Sequence, residues 1–97
     1  MDAQELLQAY QNGERNFRQV QLTNADLENA YLKEVNLFGA DLSGAYLPDT
    51  QLGDSNLVGA RLTKTNLERA NLSWTNLERA DLRGANLKRA TVVMANL

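Results

Sequence analysis

The sequence contains no cysteine and no histidine among its 97 residues, and it has a single proline and a single tryptophan. It therefore offers no thiolate nucleophile, no disulfide, no imidazole ligand for a metal and no histidine for acid–base catalysis. No apolar run approaches the roughly 20 residues that span a membrane, and the residues from Met1 to Glu5 do not resemble a secretory signal. We expect a cytoplasmic protein with no cofactor, no metal and no membrane contact.

What the sequence has in abundance is a five-residue period. From Phe17 onward every fifth residue is apolar, and fifteen of these seventeen central positions are leucine. The residue two places before each centre is small, and it is alanine in ten of sixteen cases. The other three columns hold most of the charged, amide and glycine residues. Internal repetition on this scale predicts a repeat protein, and the length permits one domain.

A five-residue period fits neither common element. A helix would spread the central residues around its circumference, and a strand would send alternate centres to opposite faces. The centres can share one interior only if the backbone turns a corner in each repeat. Corners that turn in the same sense produce a solenoid, whose coils bury apolar residues against neighbouring coils.

The motif Ala-Asp/Asn-Leu recurs in this region as Ala25-Asp26-Leu27, Ala40-Asp41-Leu42, Ala70-Asn71-Leu72, Ala80-Asp81-Leu82 and Ala85-Asn86-Leu87. This pattern closely resembles the pentapeptide repeat family, from about Arg15 to Leu97. The resemblance implies an all-β solenoid, a right-handed quadrilateral β-helix in which four repeats make one square coil. Residues 18–97 would form about four coils, roughly 20 Å tall at a spacing of about 4.8 Å. It also suggests a bacterial, cyanobacterial source.

Residues 1–14 depart from the repeat and predict a short capping helix, followed by a β-helix over residues 15–97. Asp2 and Glu5 have the spacing of a capping box, and Gly13 is placed to end the helix. An apolar stripe would then shield the first coil, as terminal caps of solenoids do. The stripe comprises Leu6, Leu7 and Tyr10.

The other end shows no cap, because the sequence stops inside a repeat at Leu97. An open edge of this kind invites pairing with another chain. We expect either a homodimer through the C-terminal coil or a sequence truncated before its own cap. The candidate interface residues are Trp74, Val93, Met94 and Leu97, which would be exposed together at this end.

Residues 20 apart should stack on one outer face. A candidate structural ladder, in which amides bond from coil to coil, comprises Asn16, Asn36, Asn56, Asn76 and Asn96. A second column, Asp41, Arg61 and Asp81, predicts an alternating charge ladder. Phe38 and Val58 would both face outward, as ordinary surface residues.

Charge is divided between the two halves, with −6 over residues 1–59 and +4 over residues 60–97. Arg69, Lys88 and Arg89 would share one face and Arg79 another. Because a nucleic-acid site needs interleaved stacking aromatics, and only Trp74 could serve from a different face, we interpret these residues as a solvated basic patch.

No catalytic arrangement is found. The sequence has no phosphate-binding glycine motif. Glu68 and Glu78 would lie on opposite sides of a coil, beyond the roughly 5–10 Å that paired carboxylates need. We therefore predict a non-enzymatic structural or protein-interaction module with an unidentified protein partner. The alternative is a DNA mimic, since some members of the family resemble a DNA duplex and protect DNA gyrase from quinolones. The short length and the basic C-terminal half disfavour it.

Overall fold

Residues 16–97 wind into square coils of four repeats each, in a computed structural model that describes all 97 residues. Thirteen parallel bridges join residues 20 apart, from Asn16–Asn36 to Asn76–Asn96. Each repeat contributes one bridged residue rather than a longer strand. We number the coils 1 to 4, over residues 16–35, 36–55, 56–75 and 76–95. The predicted β-helix of about four coils is confirmed.

The four sides of each coil stack into four faces of the shaft. We name each face by its central residues: face A carries residues 17, 37, 57 and 77, face B 22, 42, 62 and 82, face C 27, 47, 67 and 87, and face D 32, 52, 72 and 92. The residue before each centre and the two residues after it form the outer surface.

A tight turn follows every central residue except Leu97. The second residue after the centre has a positive φ, between +57° and +75°, in all sixteen turns. Most turns close with a bond from the N–H of the small residue to the C=O of the centre, as from Ala25 to Leu22 at 3.0 Å. The Cβ of the small residue leaves room for the corner.

Serine and threonine stand at some corners, where their buried hydroxyls form hydrogen bonds with the backbone. The Thr50 hydroxyl, fully buried, donates to the C=O of Leu27 at 2.9 Å. The Ser55 hydroxyl accepts the N–H of Val35 at 3.1 Å and so replaces the turn bond that is missing there. Buried hydroxyls are tolerated in this core because each has a partner.

Central residues fill the interior of the shaft. Those from Phe17 to Leu77 are at most 5 % exposed. Leu82 and Leu87 are half-buried, and Val92 is 40 % exposed, because no coil of this chain lies above coil 4. Burial of the central residues therefore depends on contacts between neighbouring coils.

A single helix, α1, spans Ala3–Gln11. It begins at the predicted capping box, where the Asp2 carboxylate accepts the Glu5 N–H at 2.8 Å and the Glu5 carboxylate accepts the Asp2 N–H at 2.9 Å. Its last residue is Gln11, and beyond the C-cap Asn12 the chain turns at Gly13, which has a φ of +100° and donates its N–H to the C=O of Tyr10. The helix is neither long nor apolar enough to cross a membrane.

The predicted apolar stripe of α1 lies against coil 1. Leu6 is completely buried within the core, and Leu7 is half-buried against it. The Tyr10 hydroxyl donates to the C=O of Lys33 at 2.7 Å. The Arg15 guanidinium stacks on the Tyr10 ring, 3.6 Å from its centre, and fastens the chain between α1 and coil 1.

Candidate interaction surfaces

Three apolar side chains on face D, Trp74, Val93 and Met94, form what we call the Trp74 patch. Their exposed fractions are 59 %, 61 % and 64 %. Met94 lies one coil above Trp74 in the same column, and the Trp74 N–H donates to the Val93 C=O at 3.0 Å. All three occupy outward positions in their repeats. A contiguous exposed apolar group of this kind is typical of a contact surface.

The backbone at Trp74 and Met94 favours smaller side chains. Their φ values are +63° and +58°, in the left-handed region where glycine and asparagine are most at ease. Eight of the sixteen equivalent turn residues are glycine, asparagine or aspartate, and Trp74 and Met94 are the two apolar ones. Backbone preference therefore does not account for these two side chains.

Two other groups of apolar residues differ from the patch. Leu97 is 70 % exposed, but it belongs to the column of central residues rather than to the outer surface. The prediction that Phe38 and Val58 both face solvent is wrong for Val58, which is only 8 % exposed. Val58 is covered because it lies between the stacked residues of coils 2 and 4. Phe38 is half-buried, with the Arg18 guanidinium 5.0 Å from its ring centre.

The asparagine column runs along face A, but its side chains serve turns more regularly than they serve each other. Amide-to-amide bonds occur at two of four steps, Asn36 to Asn16 at 3.4 Å and Asn96 to Asn76 at 3.2 Å. The side-chain oxygens of Asn36, Asn56 and Asn76 each accept the N–H two residues later at 3.0 Å. The asparagines thus stack in one column, as predicted, with amide-to-amide bonds at two steps and local turn bonds beside them.

The predicted charge ladder on face B does not form ion pairs between coils. Asp81 instead pairs with Arg83 of its own repeat at 2.6 Å, and this contact, followed by the bond from the Arg83 backbone N–H, lowers the pKa of Asp81 to about 2. The hydroxyl and N–H of Ser43 lower the pKa of Asp41. Arg61, between the two carboxylates, contributes a smaller lowering to both pKa values. Turn residues two positions away offer the carboxylates nearer partners than the next coil does.

Face C carries unpaired charges of opposite sign at its two ends. Asp26 and Glu28 lie on coil 1, and Lys88 and Arg89 lie on coil 4. All four side chains are exposed, and none takes part in an ion pair. The predicted sharing of one face by Lys88, Arg89 and Arg69 is present.

The middle of face C carries two carboxylates and one guanidinium, a net charge of −1, and the three groups contact one another. Arg69 binds Asp49 through two bonds, of 2.9 and 3.2 Å, and also contacts Glu68 at 3.2 Å. The first contact lowers the pKa of Asp49 and raises that of Arg69. Tyr46, 43 % exposed, stands in the same region of the face. Arg79 lies on face A, where it pairs with Glu78.

The two glutamates considered as a carboxylate pair are far apart on the shaft. Glu68 lies on face C and Glu78 on the opposite face A, and no cluster of three or more potential metal ligands is present. The surface depressions all lie beside α1. The largest, about 550 Å³ and open to solvent, is bordered by Tyr10, Arg15 and Tyr31.

Comparison with known proteins identifies the same five-residue repeat. The model for pentapeptide repeats matches in eight copies, over residues 16–54, 46–84 and 65–97. No curated protein matches the chain.

Three solved structures are similar. A pentapeptide repeat protein of Nostoc PCC 7120, alr5209, is 35 % identical with a TM-score of 0.93, covering 94 % of this chain and 75 % of that one. HetL, involved in heterocyst differentiation regulation in the cyanobacterium Nostoc sp. strain PCC 7120, is 35 % identical with a TM-score of 0.86, covering 88 % and 36 %. A pentapeptide repeat protein of the Arabidopsis thaliana thylakoid lumen is 28 % identical with a TM-score of 0.70, covering 78 % and 60 %. The fold is thus a right-handed β-helix, and the chain belongs to the pentapeptide repeat family.

Proposed function

We propose that this chain is a non-enzymatic protein-interaction module whose contact site is the Trp74 patch. The observation that carries the proposal is the exposure of Trp74 and Met94 at turn positions whose backbone favours glycine or asparagine. Tryptophan is enriched among residues that dominate protein interfaces, and methionine adapts to irregular surfaces. The partner is therefore a protein with an apolar surface, and a second copy of the chain is the first candidate.

The distribution of charge supports a protein partner over a role as a DNA mimic. A mimic of duplex DNA presents negative charge along its whole length, whereas residues 60–97 carry seven basic and three acidic residues. The involvement of HetL in regulation of differentiation is compatible with a contact function of this kind.

Trp74 is the chain's one tryptophan, so its fluorescence reports directly on the patch. If a second copy is the partner, raising the protein concentration should shift the emission to shorter wavelength and double the mass measured by light scattering. If both stay constant, immobilised protein should capture a different protein, which is then purified and titrated against Trp74 fluorescence.

Trp74→Asn removes the aromatic ring and keeps a residue suited to positive φ. Arg79→Asn is the matched control at the equivalent turn position on face A. We expect the first variant to lose partner binding and the second to keep it, with both folds checked by circular dichroism. Binding that survives both Trp74→Asn and Met94→Lys would contradict the proposal.

A further inference from the structure

We propose that face C is a second interaction surface, through which two copies of this chain pair side by side in antiparallel orientation. This surface is separate from the Trp74 patch, which lies on face D. The occupant is a second copy because the charges of face C are complementary to those of the same face turned end for end.

A two-fold axis through the middle of face C sets coil 1 of one copy against coil 4 of the other. Asp26 and Glu28 then meet Lys88 and Arg89 of the second copy, and the same contact is repeated at the other end. The bridges that align residues 26, 46, 66 and 86 place the ends three coils apart, about 14 Å at strand spacing. This exceeds the Debye length of about 8 Å at physiological salt, so each end attracts its counterpart separately.

The middle of the face allows this approach. Near the axis Arg69 contacts both Asp49 and Glu68, so each carboxylate there has a cationic partner within its own copy, and one net negative charge remains per copy. Tyr46 lies near the axis and is exposed enough to pack against the other copy. An amphipathic aromatic at the centre of a polar rim is a common arrangement in interfaces.

The other three faces lack this symmetry. Face A has one charge outside an ion pair, Arg18 on coil 1. On face B such charges lie in the middle of the shaft and not at its ends, with Asp41 on coil 2 and Arg61 and Lys64 on coil 3. On face D, Lys33 pairs with Asp54 at 3.9 Å, and Glu34 on coil 1 has no opposite charge on coil 4. Face C is therefore the face whose two ends carry opposite pairs of free charges.

The size of the face predicts a weak association. The molecule measures 23 Å across its two shorter dimensions, so one face can bury roughly 400 Å² per copy, about half of a standard interface. Affinity should depend strongly on salt, because contacts between exposed charges are screened.

Two charge variants that preserve the turns test this arrangement. The acidic-end variant is Asp26→Asn with Glu28→Lys, in which asparagine keeps the side-chain oxygen that accepts the Glu28 N–H. The basic-end variant is Lys88→Glu with Arg89→Asn, in which asparagine suits the φ of +60°. The control, Lys64→Glu with Arg79→Asn, changes net charge as much as the basic-end variant does, but on faces B and A.

Sedimentation equilibrium at 20 mM and 500 mM salt gives the dimer dissociation constant. For the unmodified chain we expect dimers at low salt that dissociate at high salt. Each face C variant alone should bind itself at least about tenfold more weakly, whereas an equimolar mixture of the two should restore a heterodimer, since both ends are again complementary.

The remaining outcomes overturn the inference. They are a chain that stays monomeric at low salt and millimolar concentration, face C variants that dimerise like the control, and a mixture that stays monomeric. A dimer abolished by Trp74→Asn but unaffected by the face C variants would support the Trp74 patch and reject pairing through face C. A dimer abolished by the face C variants but unaffected by Trp74→Asn would support pairing through face C. The Trp74 patch would then be tested by fluorescence alone.

Discussion

Sixteen residues of the repeats hold a left-handed backbone, yet only four of them are glycine. The same column contains two asparagines and two aspartates, which also tolerate this conformation, and eight other residues that do so at a cost of about 1 kcal/mol or more. The sequence contains a signal for this column, because four of the five glycines within the repeats stand in it. The five-residue period alone does not distinguish this column from the other outward columns. It therefore predicts a corner in each repeat but not which residue there has a positive φ.

Arg79→Gly should relieve this strain. The Arg79 side chain is 71 % exposed and its φ is +60°, so the substitution loses little packing and removes the strain of a left-handed backbone. The free energy of unfolding should rise by up to about 1 kcal/mol, which corresponds to roughly 4–8 °C in Tm for a domain of this size. Glu78→Gly, at the neighbouring turn residue, is the control and should lower Tm. A lower Tm for both would show that strain at position 79 is negligible.

At the scale of the repeat, the residue before each centre fastens the turn that follows. Ten of the eleven asparagines and aspartates at these positions accept the N–H two residues later. Asparagine and aspartate form such turns readily because their short side chains reach the backbone two residues on. The stacking of asparagines on face A invited an interpretation as a ladder, but the local bond recurs on every face.

Asn56 separates these two interpretations. Asn56→Asp keeps an oxygen for the Val58 N–H but removes the amide donor that a ladder needs, so stability should change by less than about 0.5 kcal/mol. Asn56→Ala leaves that N–H without its partner and should cost about 1–3 kcal/mol. Urea denaturation measures both. An aspartate variant as unstable as the alanine variant would restore the ladder as the main role.

The helix α1 covers coil 1, and we expect Leu6 to account for most of its contribution to the free energy of unfolding. Leu6 is completely buried, so Leu6→Ala should cost about 2–5 kcal/mol. Tyr10→Phe, which removes the bond to the Lys33 C=O, should cost about 0.5–1.5 kcal/mol. Chemical denaturation of both variants gives the comparison. Leu6→Ala with the stability of the unmodified chain would mean that α1 detaches from the shaft without consequence.

For the whole molecule, regular features were predictable and individual side-chain partners were not. The period of the leucines determines the coil, and the spacing of Asp2, Glu5 and Gly13 determines α1, because both depend on local backbone geometry. The cover over Val58 depends on the side chains of two neighbouring coils. Asp81 binds Arg83 rather than Arg61 because the Arg83 side chain reaches the Asp81 carboxylate within the same turn. The complementarity of face C also requires the register that stacks residues 20 apart.

The response of the whole chain to pH follows from its carboxylates. Asp41, Asp49, Asp81 and Glu14 all have pKa values below their ordinary range, that of Asp81 at about 2. At acidic pH the unfolded chain therefore binds more protons than the folded chain. The stability that these groups contribute is complete above the ordinary carboxyl pKa of about 4 and is lost as pH falls through the folded values.

Tm should accordingly stay level between about pH 6 and 8, where the absence of histidine leaves few groups to titrate, and fall between about pH 4 and 2. Arg83→Gln removes the guanidinium that is the largest cause of the low pKa of Asp81. In that variant the pKa of Asp81 should rise towards about 3.9, as measured by NMR titration of the carboxyl carbon, and the loss of Tm should begin at higher pH. An unchanged titration of Asp81 would mean that its bond to the Arg83 backbone N–H, which the variant retains, is sufficient to hold the pKa low.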